Sequence, residues 1–413
     1  EMPIYQGLIL CCLLSSLSQV LAQLKWRTLV RQPIVLCVVG MFAAVFLSHA
    51  AHLDLWKARF CANEFSKVLI YFLLLVAVVN SPRRLRTFLL WLLACITVLA
   101  AIALLQYHEV IHVPTLTVLE YMDHDADAEQ AVMIKRLRST GPFHDPNDLS
   151  MLLVLGTLLG AFFLTDRKYR LALPALAAAL GVFGYALALT KSRGGLLALA
   201  VGLGALFQAR YGWKKAILLA AVALPTVLVV FKGRQTDIGG ALANDTGQER
   251  IQLWSEGLVF LRRAPLFGIG QNQFAEEVDL VAHNSFVHCF AELGFFGGTI
   301  FLLAWLYPIR TIYRLGNSGL RFAEPRMARL RPYLLGAVAG YAVSMLSVSR
   351  SYVVPTYTVL GLAAAYLRDA VTVPALAGTA FDRRLVKFAI VSSAMFVAAV
   401  YVFVRVFARW SPG

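Results

Sequence analysis

Residues 65–106 read FSKVLIYFLLLVAVVNSPRRLRTFLLWLLACITVLAAIALLQ. Two apolar runs, 65–80 and 87–106, flank a short turn that carries Arg83, Arg84 and Arg86. A helix needs ~20 apolar residues to cross the hydrocarbon core of a bilayer, and a short basic turn between two such runs stays on the cytoplasmic side. The pattern recurs in both directions. Further runs fall at 4–24, 33–50, 149–164, 171–190, 194–209, 215–231, 284–309, 333–349, 352–367 and 386–408, which makes about twelve expected spans. The run at 352–367 is short and contains Pro355. No Ser/Gly linker, low-complexity block or internal repeat divides the 413 residues. The sequence therefore predicts one all-α polytopic membrane domain over 1–413.

Composition agrees. Hydrophobic residues make up 59% and charged residues 15%, against ~25% charged in an ordinary soluble domain. A soluble enzyme, a disordered chain and a small disulfide scaffold are excluded. Cys11, Cys12, Cys37, Cys95 and Cys289 lie in or beside apolar runs, and no CxxC spacing suggests a metal or redox centre. The net charge of +15 has a topological origin. Loops 25–32, 81–86, 165–170, 210–215, 310–332 and 368–387 hold 22 of the 38 Lys and Arg but only four acids, Asp166, Glu324, Asp369 and Asp382. These are the expected cytoplasmic loops, so the charge assigns no role to nucleic acid. The two long loops, 107–148 and 232–283, then fall on the outer side, as does residue 1. The chain start shows no basic n-region of a cleavable signal, so further residues are expected ahead of Glu1.

Span interiors are nearly bare of ionisable groups, which argues against a transmembrane ion path. Glu292 is the clearest exception, with His288 one turn before it. Polar groups suited to chemistry gather instead in the two long loops and at outer span ends. In Lys135-Arg136-Leu137-Arg138-Ser139-Thr140-Gly141-Pro142-Phe143-His144-Asp145-Pro146-Asn147-Asp148, Asp145 is placed to cap the next span with Pro146 at its first position. Arg138 would lie near the mouth of that span, although interfacial arginines also bind lipid headgroups. In Thr190-Lys191-Ser192-Arg193-Gly194-Gly195, Arg193 sits where a helix starts, a suitable place for an anion, and the glycines allow close backbone approach. Snorkelling is the plainer reading of such an arginine. In Glu249-Arg250-Ile251-Gln252-Leu253-Trp254, running on to Leu258 and Leu261, the spacing predicts an amphipathic helix ended by Ala264-Pro265. Arg250 in its first turn gains nothing from the helix dipole, which favours a role such as phosphate binding. His283-Asn284-Ser285 stands at the outer end of the 284–309 span. Such a histidine is either a polar cap or a proton acceptor near neutral pH.

These elements, in this order, resemble the O-antigen ligase and polymerase superfamily. His283-Asn284 followed by nine residues, Gly294, two residues and Gly297 fits its H-N-x9-G-x-x-G signature. PLFGIGQNQF, ERIQLW, the SRG turn and RSTGPFHDPND also look like that family, so the likeness runs from about Arg138 to Gly297. The resemblance implies a GT-C-like glycosyltransferase at the periplasmic face of the bacterial inner membrane, with 107–148 and 232–283 as periplasmic loops. It implies an undecaprenyl-diphosphate-linked glycan as donor and, in a ligase, a sugar of lipid A–core as acceptor, within a membrane of ordinary lipids. His283 becomes the candidate base, Arg193, Arg250 and Arg138 the diphosphate ligands, and Arg136, Asn147 and Asn284 further candidate substrate contacts. A polymerase joining two lipid-linked glycans remains open. A lipid-glycan flippase is a third reading, but the spans offer little to line a polar path. No cofactor or metal is expected. Asp123-His124-Asp125-Ala126-Asp127 contains two overlapping D-x-D pairs, which hold a divalent cation in many nucleotide-sugar transferases. Here arginines meet the same electrostatic demand, the run reads as a solvated acidic loop, and the resembled family is regarded as metal-independent.

Overall fold

The computed structural model describes residues 4–114, 116, 119–123, 132–230, 245–317 and 319–408. They are mostly helical. Eight helices are long and apolar enough to cross a membrane: Pro33–Ala50, Leu55–Val78, Pro82–Tyr107, Pro146–Leu164, Arg167–Thr190, Arg193–Tyr211, Ser285–Gly316 and Arg383–Phe407. The chain is thus a multi-pass membrane protein. The other four expected spans are also helical and are not among these eight. The run 4–24 divides at Ser16 into Ile4–Ser15 and Leu17–Gln23, and Val354–Asp369 has only 16 residues. Pro325–Ser344 opens on Arg326, Arg329 and Arg331. The fourth is Trp213–Val230, whose side chains from residue 222 onward lie outside the described residues.

Two short antiparallel ladders were not foreseen in an all-α reading. In the first long loop Leu119–Asp123 pairs with Val132–Arg136, and Arg321–Phe322 pairs with Thr372–Val373. The second long loop carries the expected amphipathic helix, Asp245–Arg263, and a short one, Gln273–Val278. The acidic run from His124 onward lies outside the described residues, and nothing is said of the Asp123 side chain.

The residues group into two compact units. One holds Glu1–Arg86, Gln248–Ala328 and Ser349–Gly413; the other holds Thr87–Gly247 and Arg329–Val348. In the second unit two helices cross where small residues let their backbones meet. A Cβ added at Gly202 would stand 3.1 Å from the Gly336 carbonyl oxygen, and one at Gly340 would stand 3.0 Å from that of Ala198. Ala198/Gly202 and Gly336/Gly340 form a small-xxx-small crossing, the usual way for helices to approach closely in lipid.

In the first unit the Ser285–Asn317 helix is not one rod. At Gly294 the backbone takes φ +64° and ψ −166°, a region open essentially to glycine alone. The expected single span 284–309 is therefore broken in its upper half. A break in a spanning helix orphans N–H and C=O groups that hydrocarbon cannot satisfy. The Pro265–Gly270 segment meets that demand. Phe295 and Phe296 N–H donate to the carbonyls of Pro265 (2.7 Å) and Leu266 (3.0 Å). Ile269 and Gly270 N–H donate to those of Ala291 (3.1 Å) and Glu292 (3.0 Å).

Candidate active site

His283 and Asn284 stand where the broken helix begins. Asn284 is buried, and its Oδ1 accepts from the N–H of Phe286 (3.1 Å) and Val287 (3.2 Å), capping the helix. His283, one residue earlier, is half-buried and has φ +48°. A non-glycine residue is uncommon in that region, and such strain concentrates where a side chain must be aimed. Ser285 fixes a third element here. Its Oγ accepts from Arg350 N–H (2.9 Å), and its carbonyl accepts from Ser351 Oγ (2.9 Å). Arg350 carbonyl in turn accepts from Thr356 Oγ1 (2.6 Å). The main chain of Arg350 is thus pinned on both sides beside the His283–Ser285 entrance, with a half-buried side chain. Sequence reading missed Arg350 because its tie to Ser285 spans 65 residues; the only local signal was an arginine in a short outer turn.

The Asp245–Arg263 helix borders the same place. Trp254 Nε1 donates to the Ala282 carbonyl (2.9 Å), next to His283. Arg250 lies one turn before Trp254, on the same helix face, and is half-buried. Ile251 and Leu261 of the expected stripe are buried and Trp254 and Leu258 half-buried, while Leu253 and Phe260 beside the stripe are buried as well, so the packed face is turned from the one the spacing marks. His283, Asn284, Arg250 and Arg350 all belong to this one unit.

Beneath them is a buried polar layer. Glu292 is fully buried; Oε1 accepts from Phe274 N–H (3.2 Å) and Oε2 lies 3.2 Å from His288 Nε2. His49 and His52 hold the glycine-rich segment: their Nε2 atoms bond the carbonyls of Gln271 (3.0 Å) and Gly268 (2.8 Å). At the surface Glu276 pairs with Lys57 at 2.9 Å. The Lys57 ammonium, and after it the Gln273 amide, hold the Glu276 carboxyl below the ordinary carboxylate range.

The other sequence-derived residues lie in the second unit. Asp145 caps the Pro146–Leu164 helix, its carboxylate accepting from Asn147 N–H at 2.7 Å, with Pro146 in the first turn as expected. Ser192 caps the helix that begins at Arg193, its Oγ accepting from Gly195 N–H at 3.1 Å. Asn147 Oδ1 accepts from Ser192 Oγ (2.7 Å) and from an Arg136 guanidinium nitrogen at 3.5 Å. Arg136 is buried, and its Nε donates to the Thr190 carbonyl (2.7 Å); Leu137 N–H donates to the Leu189 carbonyl (3.0 Å). Arg136 and Asn147 thus stitch the first long loop to the 190–193 turn. They set the places of Arg138 and Arg193, both half-buried. The paired glycines have a packing cause: a Cβ on Gly195 would stand 2.6 Å from Ser150 Cβ, and one on Gly194 would strike Ser347. They therefore add no weight to an anion site, which rests on Arg193 at the helix start.

Taken together these features define a multi-pass membrane protein with a histidine and several half-buried arginines at or near helix starts. Residues 176–302 match the family model described as O-antigen ligase. The match covers under a third of the chain and makes that segment similar to the O-antigen ligase superfamily. It takes in the SRG turn, ERIQLW, PLFGIGQNQF and the His283-to-Gly297 signature, while RSTGPFHDPND lies ahead of it. No curated protein matches the chain.

Proposed function

We propose that the protein is an O-antigen ligase, moving a glycan from undecaprenyl diphosphate to lipid A–core at the periplasmic face of the inner membrane. The observation that carries this is His283, held in a left-handed backbone conformation at a capped helix start, with the half-buried Arg250 and the main-chain-pinned Arg350 in the same unit. In the reaction, a hydroxyl of the acceptor sugar gives its proton to His283. Its oxygen attacks the anomeric carbon as the carbon–oxygen bond to diphosphate breaks, inverting that centre. The diphosphate leaves with its electron pair and its lipid. Negative charge grows on that leaving group, and fixed guanidinium donors in a water-poor site stabilise it; one well-aimed donor is worth ~3 kcal/mol. Arg250, with Arg193 and Arg138, fills that role, and no metal step is needed. The charge asymmetry of the loops supports the placement of 107–148 and 232–283 outside. The test is reconstitution of the purified chain with undecaprenyl-diphosphate glycan, with and without lipid A–core. Transfer that needs lipid A–core supports a ligase. Lengthened lipid-linked glycan in its absence makes the chain a polymerase of the same superfamily, and no covalent product in either case removes the transferase reading.

A further inference from the structure

We propose that a cavity where three of the basic loops meet binds the head group of an anionic phospholipid, a phosphodiester that carries hydroxyl groups as phosphatidylglycerol does. The cavity, of about 280 Å³, lies wholly in the first unit. It sits where the Pro33–Ala50 helix begins and where the Ser285–Asn317 and Val354–Asp369 helices end. Residues 370–382 run over these helix ends as a strap. The carbonyls of Val371, Ala377 and Thr379 accept from Ala323 N–H (2.9 Å), Arg314 Nη2 (3.1 Å) and Tyr307 Oη (2.6 Å), and Phe381 N–H donates to the Val30 carbonyl (2.7 Å). The roof of the cavity is therefore a built part of the fold. The lining comes from loops 25–32, 310–332 and 368–387 and the helix ends they join, which the charge pattern puts at the cytoplasmic leaflet.

Ile34, Leu315, Leu367 and Leu376 give apolar walls, and two polar side chains give the cavity its chemistry. Arg31 lines it, stands exposed, and makes no hydrogen bond or ion pair among the described residues. Gln32 precedes the Pro33–Ala50 helix without capping it, and its Oε1 is buried with no hydrogen-bond partner. A buried amide oxygen in that condition costs free energy until a donor reaches it. The remaining charges are already paired. Arg368 Nε donates to Asp369 (2.9 Å), and its two Nη atoms donate to the carbonyls of Val76 (2.7 Å) and Val79. These properties select the ligand. A free guanidinium in a basic cavity on the cytoplasmic side takes a lipid phosphate. The Gln32 oxygen takes a donor, which choline lacks. An ethanolamine ammonium could donate, but Arg31, Arg314 and Arg368 repel it. A glycerol hydroxyl donates without charge. The volume is just below that of a drug-sized site, about 300–1,000 Å³, enough for a head group and not for a glycan chain. None of this depends on the transfer chemistry.

The experiment titrates the full chain in nonionic detergent with phosphatidylglycerol, phosphatidylmethanol and phosphatidylcholine of one acyl composition, and counts bound lipid by native mass spectrometry. Phosphatidylmethanol keeps the anionic phosphodiester and lacks the hydroxyls. Phosphatidylglycerol should bind about tenfold more tightly than phosphatidylcholine and about threefold more tightly than phosphatidylmethanol. Arg31→Gln should cost phosphatidylglycerol about fivefold and bring it near phosphatidylcholine. Gln32→Leu should erase the difference between the two anionic lipids and leave both above phosphatidylcholine. Ala375→Trp, on the exposed strap, should fill the cavity and weaken all three. The ranking of lipids by the unaltered chain decides whether or not a variant folds. Equal affinity for the three lipids, phosphatidylglycerol binding untouched by both Arg31→Gln and Ala375→Trp, or displacement of the lipid by millimolar inorganic phosphate would each overturn the assignment.

Discussion

A lysine and an arginine carry the same charge, but only the guanidinium presents a rigid planar fork that grips two oxygens at once. Arg193→Lys and Arg250→Lys should therefore each lower kcat/KM by about tenfold or more while leaving the protein folded. Arg350→Lys belongs with them, because Arg350 is pinned beside the His283 entrance; Lys135→Arg and Arg263→Lys, on ion pairs with Glu109 and Glu277, should be near neutral. Steady-state turnover of the five purified variants separates the two groups, and uniform behaviour would remove the arginines from the site. Asn284→Ala removes an acceptor for two helix N–H groups and should cost about 1–2 kcal/mol in thermal unfolding, with activity falling because His283 loses its footing. At this scale much was legible. Asp145, Pro146 and Arg193 stand where the sequence places them, because capping depends on neighbours within three or four residues. Arg350 was not legible, since what fixes it lies 65 residues away.

Two glycines let the Pro265–Gly270 segment and the broken helix meet backbone to backbone. A Cβ on Gly294 would stand 2.5 Å from the Leu266 carbonyl carbon and 2.6 Å from Gly268 N, and one on Gly268 would strike the backbone of Glu292 and Leu293. Both residues also have positive φ. Gly294→Ala and Gly268→Ala should each destabilise by about 3 kcal/mol or more, since strain and backbone clash add. Gly181→Ala, in a helix with nothing within 4 Å, should be neutral or stabilising by up to ~1 kcal/mol. Melting temperatures of the three variants decide this; equal values would deny the interlock. The amphipathic helix was legible to within a residue or two, because its apolar stripe is periodic. The break at Gly294 was hidden inside an apolar run. A hydropathy pattern does not reveal that Pro265–Gly270, some 25 residues upstream, supplies the missing hydrogen bonds. The same holds for His49 and His52, whose carbonyl partners lie more than 200 residues away.

For the whole molecule, orientation follows from the basic loops. With the six native cysteines replaced, Glu277→Cys should react with an impermeant maleimide in intact cells whose outer membrane has been permeabilised, and Arg321→Cys should react only after inner-membrane lysis. The reverse pattern would invert the topology. The span number was less legible than the membrane class. Apolar length marks a run as helical, but it does not foretell the division of 4–24 at Ser16 or the 16-residue length of Val354–Asp369. Electrostatics at this scale also gives the metal prediction: transfer should survive excess EDTA, and Asp125→Asn with Asp127→Asn should cost little, whereas chelator-sensitive activity restored by Mg²⁺ would reopen the acidic run.

The most direct measurement is the initial rate of glycan transfer by the reconstituted protein and by His283→Ala, at matched folded protein and across pH. Removing a general base alone costs about 10²–10⁴ in rate, so the variant should retain at most a trace of turnover while its melting temperature stays near that of the unaltered chain. Near-normal transfer by His283→Ala at every pH would contradict the central claim and leave His283 as a helix-entrance cap.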